Sequence, residues 1–66
     1  MKNRIEELRK KEGLSQEEFA NKMFVSRQTI SSLETGRYDP SLKLALKIAR
    51  YFKLSVEEVF NDESTD

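Results

Sequence analysis

The sequence predicts an all-α fold of five short helices. Two observations carry that prediction. Ser15 and Ser55 each have a glutamate three residues on, Glu18 and Glu58. In that spacing a serine and a glutamate side chain each satisfy a free backbone N–H at a helix start. Apolar residues also recur three and four apart, as in Ile5/Leu8, Ile30/Leu33 and the run Leu42, Ala45, Leu46, Ala49, Phe52, the period of one helix face.

The first helix starts at Asn3, with Glu6 as the return partner of the cap, and ends near Lys11. Ile5 and Leu8 form its inward face. Arg9, Lys10 and Lys11 load its last turn, where cations complement the helix dipole, and Gly13 stops it. The second helix opens at Ser15 and the third at Ser26, with only Met23-Phe24-Val25 between them. That is too short for a separate loop, so the third helix must cross the second at a steep angle. Ala20 supplies a small residue at the crossing. Gly36 suits a left-handed cap after the third helix. Arg37 and Tyr38 follow on a loop that Pro40 and the next helix start, Ser41, hold at its far end. The fourth helix, about 41–52, carries two apolar stripes: Leu42, Ala45, Leu46, Ala49 and Phe52, and beside them Leu44, Ile48 and Tyr51. Lys43, Lys47 and Arg50 mark its opposite, solvated face, with only Lys43 near enough to the loop for a phosphate contact. Ser55 starts a short fifth helix with Val56, Val59 and Phe60. Residues 1–60 thus form one domain, and 61–66 an acidic tail expected to fray.

At about 100° per residue, Ile30 and Leu33 fall together on the inward side of the third helix, while Gln28, Ser31, Ser32 and Thr35 fall on the other. Small and amide side chains with Arg27 at the first turn allow close approach to another molecule. Duplex DNA fits: its major groove admits an α-helix, Arg grips guanine and Gln grips adenine in bidentate fashion. Arg27, Gln28, Ser31, Ser32 and Thr35 are therefore the expected base-reading residues. Ser26, Arg37 and Tyr38 are the expected backbone contacts, of the kind that set register without reading sequence. Half-burial of Tyr38 against the fourth helix is compatible with such a contact. Gln16, at the first turn of the second helix, either fills the capping box or holds a phosphate where free N–H groups and the dipole attract anions.

At Leu14-Ser15-Gln16, Glu18-Phe19-Ala20, Val25-Ser26, Thr29-Ile30-Ser31, Leu33-Glu34, Gly36 and Pro40-Ser41-Leu42, the chain resembles the Cro/cI-like, or XRE-type, helix-turn-helix regulators. The resemblance runs from about Arg4 to Phe60. It implies a compact five-helix, lambda-repressor-like DNA-binding domain whose helix-turn-helix is formed by the second and third helices. It also implies a phosphate role for Gln16, backbone contacts just beyond the recognition helix, and an ion pair between Arg9 and Glu34; a phosphate contact by Arg9 could coexist with that pair. Phe24 departs from the pattern, because the family often has Gly or a small polar residue at this turn. A positive φ there costs on the order of 1 kcal/mol.

Composition narrows the functions. Without Cys or His, disulfides, zinc sites and imidazole catalysis lack their residues, and no metal or cofactor is expected. Ser31 and Ser32 have no His base, and no Gly-rich phosphate loop is present. The acidic pairs Glu6/Glu7, Glu17/Glu18 and Glu57/Glu58 point about 100° apart at helix starts, where acids serve the dipole. No enzyme is expected and no small-molecule ligand is evident. The formal charge is zero, but its distribution is uneven. Residues 1–53 hold all twelve Lys and Arg against seven acids, and residues 54–66 hold five acids and no base. A basic body with an acidic end suits a nucleic-acid partner. No apolar run reaches signal-peptide or membrane-spanning length, so a cytoplasmic protein is expected.

A domain of 66 residues buries only about 60% of its unfolded surface, and association is the remaining way to add to that. The second apolar stripe with the exposed part of the last helix, namely Leu44, Ile48, Tyr51, Val56, Val59 and Phe60, is the expected twofold interface; the alternative is that both stripes are used up in the core of the single chain. The expected function is a homodimeric, sequence-specific transcriptional regulator, most simply a repressor on an inverted-repeat operator. The alternative is a protein-interaction module of antitoxin or adaptor type on the same fold.

Overall fold

A computed structural model of the chain describes residues 2–60. In it the helices are α1 (Ile5–Lys11), α2 (Gln16–Met23), α3 (Arg27–Glu34), α4 (Leu42–Phe52) and α5 (Val56–Val59). No strand occurs among the described residues. The acidic tail 61–66 lies outside them.

Local chemistry explains each start. Ser15 Oγ accepts from the Glu18 N–H at 3.0 Å while Glu18 Oε1 accepts from the Ser15 N–H at 2.8 Å. The same reciprocal pair closes Ser55 and Glu58, at 3.1 and 2.8 Å. Ser26 and Ser41 make only half of this arrangement, accepting from the N–H of Thr29 and of Leu44, both at 3.1 Å. At α1 the structure differs from expectation. The helix begins at Ile5, and Glu6 pairs with Lys10 at 2.9 Å instead of returning to the cap. The Asn3 carboxamide is used twice: its oxygen accepts from the Ile5 N–H at 3.1 Å, and its nitrogen donates to the Leu33 carbonyl at 2.7 Å. Asn3 therefore ties the start of α1 to the end of α3. Gly13, at φ 74°, ends α1 as expected.

The α2–α3 turn runs through Phe24 at φ 61°, a left-handed conformation that costs a side chain on the order of 1 kcal/mol. The residue is 85% exposed. Lys47 supports the turn from α4: its Nζ donates to the Met23 carbonyl at 3.0 Å and lies 5.1 Å from the Phe24 ring centroid. One amine thus satisfies a helix-end carbonyl and makes a cation–π contact. Lys47 is accordingly not a merely solvated lysine of the basic stripe.

The core centres on Ile5, Phe19, Ile30, Leu33, Ile48 and Val59, all fully buried, with Ala20 letting α2 and α3 approach. Phe19 stacks on Phe52 at 5.3 Å between centroids and meets Tyr51 edge-on at 5.6 Å. This arrangement corrects the expected partner-facing surface. Ile48 and Val59 are fully buried within the single chain, Leu44 and Phe60 nearly so; Tyr51 belongs to the aromatic cluster, and Val56 is half-buried against the core. The reason is geometric. α5 has four residues, too short to shield itself, and it is bonded to the N-terminal segment through Arg4 N–H to Val59 O at 2.8 Å. Val59 and Phe60 must therefore be buried, and Ile48 and Leu44 turn inward with them. The exposed apolar residues of α4 belong to the other stripe: Leu42 at 73% and Leu46 at 38%.

Candidate nucleic-acid interface

α3 lies across α2 with Ile30 and Leu33 buried beneath it. Because the helix advances about 100° per residue, burial of those two fixes what faces out. Arg27, Gln28 and Thr35 are exposed, and Ser31 and Ser32 are half-buried. Thr35 is the residue after the last turn, and its hydroxyl donates to the Ser32 carbonyl at 3.1 Å. Small side chains along this face leave the helix backbone accessible to a docking surface.

Two groups form around α3. On one side a groove of about 250 Å³ is lined by Ser26, Gln28, Thr29, Ser32 and Tyr38. Thr29 and Tyr38 also line a neighbouring hollow of about 320 Å³ shared with Ser41, Lys43 and Lys47. Four of the expected interface residues, Ser26, Gln28, Ser32 and Tyr38, thus meet in one place, with Tyr38 46% exposed. Thr29 joins them and was not among the expected contacts; Lys43, expected only as a phosphate contact at the edge of the solvated face, lines the neighbouring hollow. The helical wheel puts Thr29 beside the buried residues, and only the loop carrying Tyr38 turns that edge into a groove wall. Lys43 and Lys47 are four apart on α4, so they share a face, a signal visible in sequence without indicating what the face meets. Arg37 is exposed on the loop after α3.

On the other side a hydrogen-bonded chain runs from the core to the surface. Arg9 Nε and Nη2 donate to Glu34 Oε2 and Oε1 at 2.7 and 3.2 Å, and Arg9 Nη1 donates to the Leu14 carbonyl at 2.8 Å. The two side chains are 8% and 5% exposed. A forked pair of this kind is both strong and directional. The hydrogen bonds that Arg9 donates to Glu34 raise the Arg9 pKa above its ordinary value, against the opposing effect of burial. Gln16 Nε2 donates to Glu34 Oε1 at 3.0 Å, and Gln16 Oε1 accepts from Arg27 Nη1 at 3.3 Å. Gln16 is therefore joined to Arg27 at the first turns of α2 and α3. Ser15, not Gln16, makes the capping box.

The described residues contain no cluster of acidic side chains suited to a metal ion. No helix among them is long and apolar enough to cross a membrane.

The helix-turn-helix family model HTH_3 matches residues 5–59. An uncharacterized HTH-type transcriptional regulator of Methanocaldococcus jannaschii is 52% identical over 60 residues, covering 91% of both chains. Two more distant relatives have names of opposite sign. The cryptic phage CTXphi transcriptional repressor RstR of Vibrio cholerae is 31% identical over 64 residues, 97% of this chain and 58% of its own. The HTH-type transcriptional activator BcrR of Enterococcus faecalis is 30% identical over 60 residues, 91% of this chain and 29% of its own. The matched span 5–59 begins at the first residue of α1 and ends at the last of α5, so the chain belongs to the XRE-type helix-turn-helix family of DNA-binding transcriptional regulators.

Proposed function

We propose that the protein is a homodimeric, sequence-specific repressor that occupies an inverted-repeat operator through α3. The observation that carries the reading is the outward face of α3, where exposed Arg27 and Gln28 precede half-buried Ser31 and Ser32. Arg27 and Gln28 read base edges in the major groove, with Ser31, Ser32 and Thr35 as closer contacts. Gln16, Ser26, Arg37 and Tyr38 hold the phosphates on either side. Blocking a promoter requires only occupancy, which suits a domain of this size.

The apolar surface available for a second copy consists of exposed Leu42 and Leu46 with half-buried Pro40 and Val56; Pro40, Leu42 and Val56 line a hollow of about 330 Å³ together with Glu57, over the buried Ala45 and Phe60. Pro40 follows closely on Arg37 and Tyr38, so this surface borders the DNA-facing loop. In this reading a twofold axis passes through it, and the two recognition helices enter successive major grooves about 34 Å apart.

Selection of sites from a random duplex library tests the reading. Two inverted half-sites with centres about one helical turn apart are expected. A single enriched half-site would remove the dimer, and no enrichment at low salt would remove the DNA reading in favour of a protein partner.

A further inference from the structure

Glu34 is an interface residue by position but not by exposure. It ends the recognition helix, yet its side chain is 5% exposed and cannot touch a base. Both of its oxygens are engaged: Oε2 by Arg9 Nε, and Oε1 by Arg9 Nη2 and Gln16 Nε2. An ionised carboxylate only accepts hydrogen bonds. It therefore dictates which end of the Gln16 amide turns inward. The nitrogen goes to Glu34, and the oxygen is left facing Arg27 Nη1 at 3.3 Å. With the amide reversed, its N–H groups would face a guanidinium that has only donors, and Arg27 would be turned away. The charge on Glu34 is in turn held by Arg9, which is fastened at its other nitrogen to the Leu14 carbonyl at 2.8 Å.

We infer that Glu34, acting through Gln16, is a positioning residue for Arg27, so that base preference at the Arg27 contact depends on a carboxylate that never reaches the DNA. This rests on the DNA-reading role of α3. A long arginine side chain has many rotamers and loses freedom on binding. Tying one of its nitrogens to Gln16 removes part of that loss beforehand and restrains the orientation of the guanidinium fork. Bidentate recognition of guanine depends on that orientation.

The test is library selection with the wild type and three variants, each checked for folding by circular dichroism. Arg27→Ala identifies the operator column that Arg27 reads. Gln16→Met, similar in length but without the amide, cuts the relay at its accessible link. Its expected result is a drop of about fivefold or more in preference at that same column, with the other columns retained. Removing a phosphate contact lowers all sequences alike, so a uniform drop with an unchanged profile would show that Gln16 serves the backbone only and would overturn the proposal. Glu34→Gln combined with Arg9→Met leaves no buried charge unpaired and is expected to flatten the same column. If this double variant folds and keeps the column, Glu34 has no positioning role; if it does not fold, Gln16→Met decides alone. A wild type that enriches no site would overturn the DNA reading itself, a result distinct from any pattern among the variants.

Discussion

Arg9 and Glu34 illustrate how much one buried pair can decide in so small a domain. Taking two charges out of water is costly, and the forked geometry with the added Leu14 and Gln16 bonds offsets that cost. Removing one partner leaves the other buried without compensation. Arg9→Ala is expected to destabilise the fold by about 3–5 kcal/mol in urea unfolding, a large share of the total stability of a domain this size. Exposed pairs at the same scale behave differently. Lys10 and Glu6, 65% and 57% exposed, are screened by water and contribute little. At the interface the residues divide by what they can read. Gln28→Ala is expected to weaken binding by about 1–3 kcal/mol and to relax one position per half-site. Arg37→Ala should weaken all duplexes alike and reduce the salt slope by about 0.9 for each phosphate it no longer neutralises. Titrations of matched and scrambled sites at several salt concentrations separate the two; uniform weakening in both variants would withdraw the base contact from Gln28.

Among the elements, α2 and α5 depend on ionised glutamates at their starts. The Ser15 and Ser55 backbone N–H groups, with their hydroxyls, hold the Glu18 and Glu58 carboxyls below the usual range. A carboxyl with a depressed folded-state pKa takes up its proton in the unfolded chain first as pH falls. Its stabilising contribution is therefore present above the unfolded value and is lost as pH drops through the folded one. Thermal melts from about pH 7 to about pH 2 should show falling stability below the ordinary carboxylate range. Glu18→Gln and Glu58→Gln, which retain capping atoms without titrating, should each make that fall shallower. An unchanged acid limb would mean that neither capping box contributes to it. The turn between α2 and α3 works in the opposite sense, since Phe24 adopts a conformation suited to glycine while Lys47 on α4 supports it. The steep crossing of the motif thus rests partly on a helix outside the motif.

In the whole molecule, the burial pattern separates the apolar residues of α4 that stay exposed from those in the core, and the proposed contact with a second copy falls on the exposed ones. Leu42 and Leu46 are exposed and Ile48 is fully buried, so glutamate at these positions should have opposite consequences. Leu42→Glu with Leu46→Glu is expected to yield a folded monomer by sedimentation, with binding reduced to single half-sites. Ile48→Glu buries an unpaired charge and should unfold the chain. A Leu42→Glu, Leu46→Glu protein that still sediments as a dimer would place the interface elsewhere. The same pair of variants tests whether marginal burial in a small domain is offset by association.

By itself the sequence determined the helices and the outward face of α3. Capping pairs, apolar spacing and the shortness of the 23–25 connection act within a few residues, and such local chemistry can be read along the chain. Arg27, Gln28, Ser31 and Ser32 were legible for that reason: one helical wheel fixes their side once Ile30 and Leu33 are inward. Only the tertiary structure decided which apolar residues of α4 stay exposed: Ala45 and Ala49 of one stripe are buried with Leu44 and Ile48 of the other, which leaves Leu42 and Leu46 outside. Both stripes are apolar and adjacent, and the choice depends on where α5 and the Arg4–Val59 bond close the core. It likewise decided that Asn3 reaches Leu33, that Lys47 reaches the turn, and that Gln16 lies between Glu34 and Arg27. Those contacts join residues eleven to thirty positions apart. Their geometry follows from how the helices pack, and no periodicity along the chain encodes it.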